Sequence, residues 1–167
     1  MLLAALILSG CAGYGGHGLK PGIANLDEVV ATMGQPALRW QEPDGRLQLA
    51  YPRVPDGPYT FMVHIAPDGR LEKIENVLVT RHFARIVAGK SDQAAVLRVL
   101  GPPVPQWTTY FGARNELVWE WPFCDDFNLL ARFNVLFDNA TGIVRSTQQR
   151  QDLRGRDGIA PYCAKAD

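Results

Sequence analysis

Apolar residues recur along this chain in two rhythms. Leu26, Val29, Val30 and Met33 fall at i, i+3, i+4 and i+7, one face of a helix. Asn25 precedes that run and Glu28 follows three residues on, the pattern of a capping box. Val96, Leu97 and Leu100 form a second stripe, with Ser91 as its expected cap. Gly34 and Gly101 stand where a helix needs a left-handed residue to end, and Pro36 and Pro103 block its resumption. A further short helix is expected near residues 82–86.

The second rhythm is alternation. Leu47, Leu49 and Tyr51 alternate with Gln48 and Ala50, and Tyr59, Phe61, Val63 and Ile65 with Thr60, Met62 and His64. Residues 71–79 are a third strand candidate. Leu117, Trp119 and Trp121 repeat the pattern, as do Leu129, Ala131, Phe133, Val135 and Phe137. Asp44-Gly45 and Asp68-Gly69 read as hairpin turns, and so does the run from Asp138 to Gly142. Strands with one apolar face predict antiparallel sheets covered on one side.

These rhythms occur twice. A shift of 67 carries Gly22 onto Gly89, Val29 onto Val96, Gly34 onto Gly101, Pro36 onto Pro103 and Trp40 onto Trp107. The shift grows to 70 at Tyr51-Pro52 and Trp121-Pro122, and to 72 at Phe61 and Phe133. Growth confined to turn regions is what duplicated units with variable loops give. The expected fold is therefore α+β: two tandem repeats, each of short helices followed by a three- to four-stranded antiparallel sheet. The expected boundaries are 19–80 and 81–150, with a C-terminal tail over 151–167.

Charge narrows the function. Lys plus Arg and Asp plus Glu are both 17, a formal net charge of zero, without the basic excess of a nucleic-acid binder. The three cysteines are Cys11, Cys124 and Cys163. If Cys11 is spent on another bond, Cys124 and Cys163 are left to pair as a disulfide in an oxidising compartment. A free buried thiol, or Cys124 as a nucleophile beside a histidine, are the alternatives.

Residues 1–9 are apolar but far shorter than the ~20 needed to span a bilayer. They read as the hydrophobic part of a signal peptide over 1–10, although no positive segment precedes it. Leu8-Ser9-Gly10-Cys11 resembles the bacterial lipobox, which implies a lipid on the Cys11 thiol. Ala12 after that cysteine implies sorting to the outer membrane, facing the periplasm. Residues 11–18, rich in glycine, read as a flexible tether with His17 in solvent.

Leu19-Lys20-Pro21-Gly22, Asp27-Glu28-Val29 and Met33-Gly34-Gln35-Pro36 resemble the SmpA/OmlA (BamE-like) family of small outer-membrane lipoproteins. So do Ile86-Val87-Ala88-Gly89, Val96 and Leu100-Gly101-Pro102-Pro103. The resemblance covers about residues 19–150. It implies a helix followed by antiparallel strands, and a non-catalytic role in envelope assembly. Barrel-assembly components would be among the candidate partners, with the membrane reached through the N-terminal lipid. Typical members carry one such unit. Two in tandem resemble secreted β-lactamase-inhibitor proteins, whose units pool their sheets.

No residue constellation calls for catalysis, a cofactor or a metal. His64 and His82 lie 18 apart without a ligand at short spacing. Asp125-Asp126 reads as a solvated loop, and Trp119 and Trp121 as core. Met62, His64, Leu130, Arg132, Asn134 and Leu136 share the strand phase opposite the core. Apolar residues among polar ones on an uncovered face mark a partner site. Alternatively, the two units or the tail cover that face themselves.

Overall fold

The computed structural model describes residues 15–54, 56–153, 158 and 160–163. The signal segment, the Cys11 lipobox and the first half of the tether lie outside the described residues. The chain folds as two tandem α+β units, each carrying a four-stranded antiparallel sheet with strands in sequence order.

In the first unit, helix α1 (Leu26–Met33) leads into β1 (Leu38–Gln41), β2 (Leu47–Pro52), β3 (Thr60–Ile65) and β4 (Leu71–Asn76). The Asn25 side chain accepts from the Glu28 backbone N–H at 3.0 Å, and Glu28 accepts from the Asn25 N–H at 2.8 Å. Two otherwise orphaned donors are thereby satisfied. The helix buries Val29 and Met33 against Leu49, Val63, Ile65 and Leu71 on one face of the sheet. Full burial of such aliphatic side chains contributes about 1.5–3 kcal/mol each. Gly16 is buried with φ +74° and lies against Ile74, Leu19 and Met33, so the expected tether is already part of the first core at that point.

In the second unit, α2 (Thr80–Phe83) and α3 (Gln93–Leu100) precede β5 (Thr109–Phe111), β6 (Glu116–Cys124), β7 (Leu130–Asp138) and β8 (Val144–Gln151). The cap of α3 is Asp92, which accepts from the Ala95 N–H at 2.7 Å. Ser91, the expected cap, instead accepts from the Val87 N–H and braces the preceding turn. Phe83, Ile86, Val96 and Leu100 pack against Trp121, Phe123, Phe133, Val135 and Phe137. The Phe83 and Phe133 rings stack with centroids 3.9 Å apart, which fixes α2 to the second sheet.

The two sheets share no strand ladder among the described residues. They are joined through α2 and α3, which lie between them. The inner side of this helical pair fills the second core. Its outer side packs onto the face of the first sheet that α1 leaves free. Gln48 Nε2 donates to the Arg98 carbonyl at 2.6 Å, and Gly101 sits beside Ala50 and Thr60. The layers therefore run helix, sheet, helices, sheet. Among the described residues, α-helices cover the first sheet on both faces and the second on one.

The tail returns to the second sheet. Cys124 and Cys163 are bonded, with Cα atoms 6.0 Å apart. Leu130 N–H donates to the Pro161 carbonyl at 2.7 Å, and Cys163 N–H to the Asn128 carbonyl at 2.9 Å. The disulfide is thus accompanied by backbone bonds to the β6–β7 turn.

Candidate functional site

The stacking divides the expected partner face in two. Met62 is 1% exposed and packs with Ala50 and Val77 at the seam between the units. His64 is half-buried in the same seam. Neither belongs to an open surface, because the second unit's helices cover this side of the first sheet. Leu130, Arg132, Asn134 and Leu136 lie on the outer face of the second sheet, turned away from α2 and α3.

That outer face has an unusual floor. Register sets Glu120 opposite Asn134, Val118 opposite Leu136, Asn134 opposite Gln148 and Arg132 opposite Arg150. Glu120 is 4% exposed and accepts from Arg132 Nη1, from Asn134 Nδ2 at 3.0 Å and from Arg150 Nη2 at 2.9 Å. Arg132 Nε donates to Asp152 Oδ2 at 3.0 Å, and Asp152 is 2% exposed. The Arg132 guanidinium lies over the Trp107 ring, 3.9 Å from its centroid. Two cations and two carboxylates balance within this cluster. Buried charge is tolerable only when paired and hydrogen-bonded in this way. Arg132 Nη2 and Asn134 Oδ1 nevertheless find no hydrogen-bond partner.

Arg132 was expected on the accessible face and is instead buried, since Trp107 roofs it. Beside it on the same face opens a groove of about 310 Å³. Phe111, Val118 and Leu136 give it apolar walls, while Arg114, Asn134 and Gln148 give it polar ones. Arg114 pairs with Glu116 at 2.9 Å and lies 4.5 Å from the Phe111 ring centroid. Phe111 is 41% exposed, in a short edge strand. Leu130 lies outside the groove, half-buried beside the returning tail. Sequence reading missed Trp107, Phe111 and Glu120. Trp107 and Phe111 belong to a single 3-10 turn and a three-residue strand too short to show a rhythm, and Glu120 sits at a strand position out of phase with core-facing Trp119 and Trp121.

The seam collects the two histidines that sequence spacing kept apart. His64 Nε2 lies 3.6 Å from Glu75 Oε1, and His82 Nε2 lies 3.5 Å from Glu75 Oε2. Lys73 Nζ reaches Glu75 Oε1 at 2.6 Å. Burial pushes both imidazoles below their ordinary value, and neighbouring cations push the same way. Burial also opposes the charge of Glu75, but Lys73 and the two histidines outweigh it and hold the carboxyl below the usual range. Among the described residues, no group of three or more His, Cys, Asp or Glu could hold a metal ion.

Two other acidic motifs are structural. Asp125 Oδ1 accepts from the N–H groups of Phe127 and Leu129, both at 2.9 Å, and so shapes the β6–β7 turn rather than lying free in a solvated loop. Asp138 accepts from the Thr141 N–H at 2.9 Å and from Arg145 Nη2 at 2.5 Å, closing the β7–β8 hairpin.

In comparisons with protein-family models, curated proteins and solved structures, nothing matches this chain. Among the described residues, no helix is long and apolar enough to cross a membrane.

Proposed function

We propose that this chain is a non-catalytic lipoprotein, anchored to the outer membrane through Cys11 and facing the periplasm. In this reading it is a protein-binding scaffold in envelope assembly or maintenance. The observation that carries the binding role is the asymmetry of the stack. One face of the first sheet receives a helical pair, whereas the matching face of the second sheet is left with a groove. That groove joins exposed Phe111 to Val118 and Leu136 beside Arg114, Gln148 and the charged floor of Glu120 and Arg150, an apolar strip among polar groups that a protein partner can cover. The anchor and the compartment rest on the lipobox resemblance, and the assembly role on the SmpA/OmlA resemblance.

A second reading is a periplasmic inhibitor or ligand-binding module using the same sheet face, in the manner of β-lactamase-inhibitor proteins. It is favoured by the tandem units. In the structure their sheets stay separate rather than pooled.

Crosslinking in intact cells, followed by affinity capture and mass spectrometry, separates the two. Barrel-assembly components recovered with wild type and lost with Leu136→Glu support the scaffold. A single soluble enzyme, captured without membrane components, supports the inhibitor. Recovery of the same proteins with wild type and Leu136→Glu rejects the groove as the binding surface.

A further inference from the structure

We propose that the seam between the two units is an acid-released latch, in which protonation of His82 loosens the docking of α2 and α3 on the first sheet.

His82 stands on α2, belongs to the second unit, and is 5% exposed. Its ring faces Glu75 on β4 of the first unit across a cavity of about 160 Å³. Arg85 Nη1 lies 3.4 Å from His82 Nδ1. An arginine can only donate, so this contact requires Nδ1 to accept. In the neutral ring the proton then sits on Nε2, which lies 3.5 Å from Glu75 Oε2 without a hydrogen bond to it. A proton added to the ring must go to Nδ1, turning an acceptor into a second donor that faces a guanidinium.

The surroundings do not make good that loss. Arg81 on α2 and Arg85 in the turn after it act on His82, and from β4, Lys73 does. Arg98 of α3 lines the same cavity and pairs with Glu42. His64 on β3 competes for the same carboxylate, and Glu72 on β4 acts on His64. Glu75 alone draws a proton onto His82, and its carboxylate already takes Lys73 at 2.6 Å. Cations outnumber anions around this ring. Burial, the largest influence, also favours the neutral form.

The sign follows. The docked state holds His82 neutral to a lower pH than the undocked state does. Undocked chains therefore bind more protons, and acid shifts the balance toward them. The latch weakens as pH falls below the ordinary histidine value of about 6.5. Release would bare Met62, Ala50 and Val77, which the seam now covers.

The sequence supplies its own probes. Met62 lies in the seam at 1% exposure, and Met33 in the first core at 5%. Hydrogen peroxide oxidation of the full chain, with the disulfide intact, is followed by mass spectrometry at pH 7.5 and pH 5.5. Met62 oxidation is expected to accelerate at the lower pH. Between these two pH values the gain is at most about tenfold, because pH 5.5 lies about one unit below the ordinary histidine value. Met33 holds its rate. His82→Gln, which keeps a donor and an acceptor but cannot be charged, is expected to abolish the acceleration. Equal changes at both methionines, no change at Met62, or acceleration that persists in His82→Gln would each overturn the proposal. If His82→Gln fails to fold, an NMR titration of the wild-type ring decides. A His82 midpoint at or above the ordinary value overturns the latch, and a midpoint below it supports it.

Discussion

A Cβ placed on Gly101 would come within 2.9 Å of Thr60 Cγ2, across the boundary between the two units. Gly101 ends α3 with φ 72° and ψ −171°, a region open essentially to glycine alone. Gly34, its counterpart at the end of α1, has φ 83° and nothing within 4 Å of such a Cβ. The pair separates backbone strain from contact. Gly34→Ala is expected to lower stability by about 1–3 kcal/mol through strain alone. Gly101→Ala is expected to cost more, because it also pushes the units apart. Urea denaturation of both variants checks the order, and equal losses would remove the contact from the account.

Arg132 is the keystone of the outer face. Removing it leaves Glu120 and Asp152 buried without their shared cation. Arg132→Ala is expected to cost about 3–5 kcal/mol. Arg132→Lys should recover only part of this, since an ammonium cannot reproduce the spread of the guanidinium over Trp107. Denaturant midpoints for the two variants test this, and a loss below about 1 kcal/mol would place the cluster in exposed, screened surroundings instead.

The Cys124–Cys163 bond spans a sequence separation of 39. Closing a loop of that size stabilises by about 3–4 kcal/mol in the chain-entropy model. Replacing both cysteines with serine is expected to lower the melting temperature by roughly 10 °C. Hydrogen exchange should rise first at Leu130 and Cys163, whose amides donate across the tail junction. An unchanged melting temperature would mean that the backbone bonds alone hold the tail.

Asp138 sets a second, much lower pH range. The Thr141 N–H, with Arg145 beside it, holds its carboxyl at about 2. A carboxyl depressed in the folded state stabilises above its ordinary value of 3.8 and loses that effect as pH falls through 2. Asp138→Ala should therefore be less stable than wild type at pH 5, with the gap closing by pH 2. Circular dichroism melts at the two pH values measure it, and a gap independent of pH would assign the loss to turn geometry.

Legibility in the sequence followed rhythm. Val29, Met33, Val96 and Leu100 stand at helical spacing and form the cores they predict, because amphipathic helices must bury one stripe. Strands β2, β3, β6 and β7 alternate and were equally readable. β8 was not, since after Val144 it is almost wholly polar and is held by its ladder to β7 rather than by burial. The seam was invisible for another reason. Met62 and His64 share the strand phase of Asn134 and Leu136, and only the next unit's helices make one pair inner and the other outer. The groove had no local signal, as Phe111 and Trp107 reach it from short irregular segments.

The order of layers gives the array a direction. Where the first sheet presents Ala50, Thr60 and Met62 to an incoming helix, the second presents Glu120, Arg132 and Asn134 at the corresponding places. Transposing the two units would force paired charges beneath a helix and leave Met62 in water. A third copy appended after the second would meet the same charges. A helix docked there would have to cover Glu120 and Arg132 together with Asn134, Arg150 and Asp152, which share their hydrogen bonds.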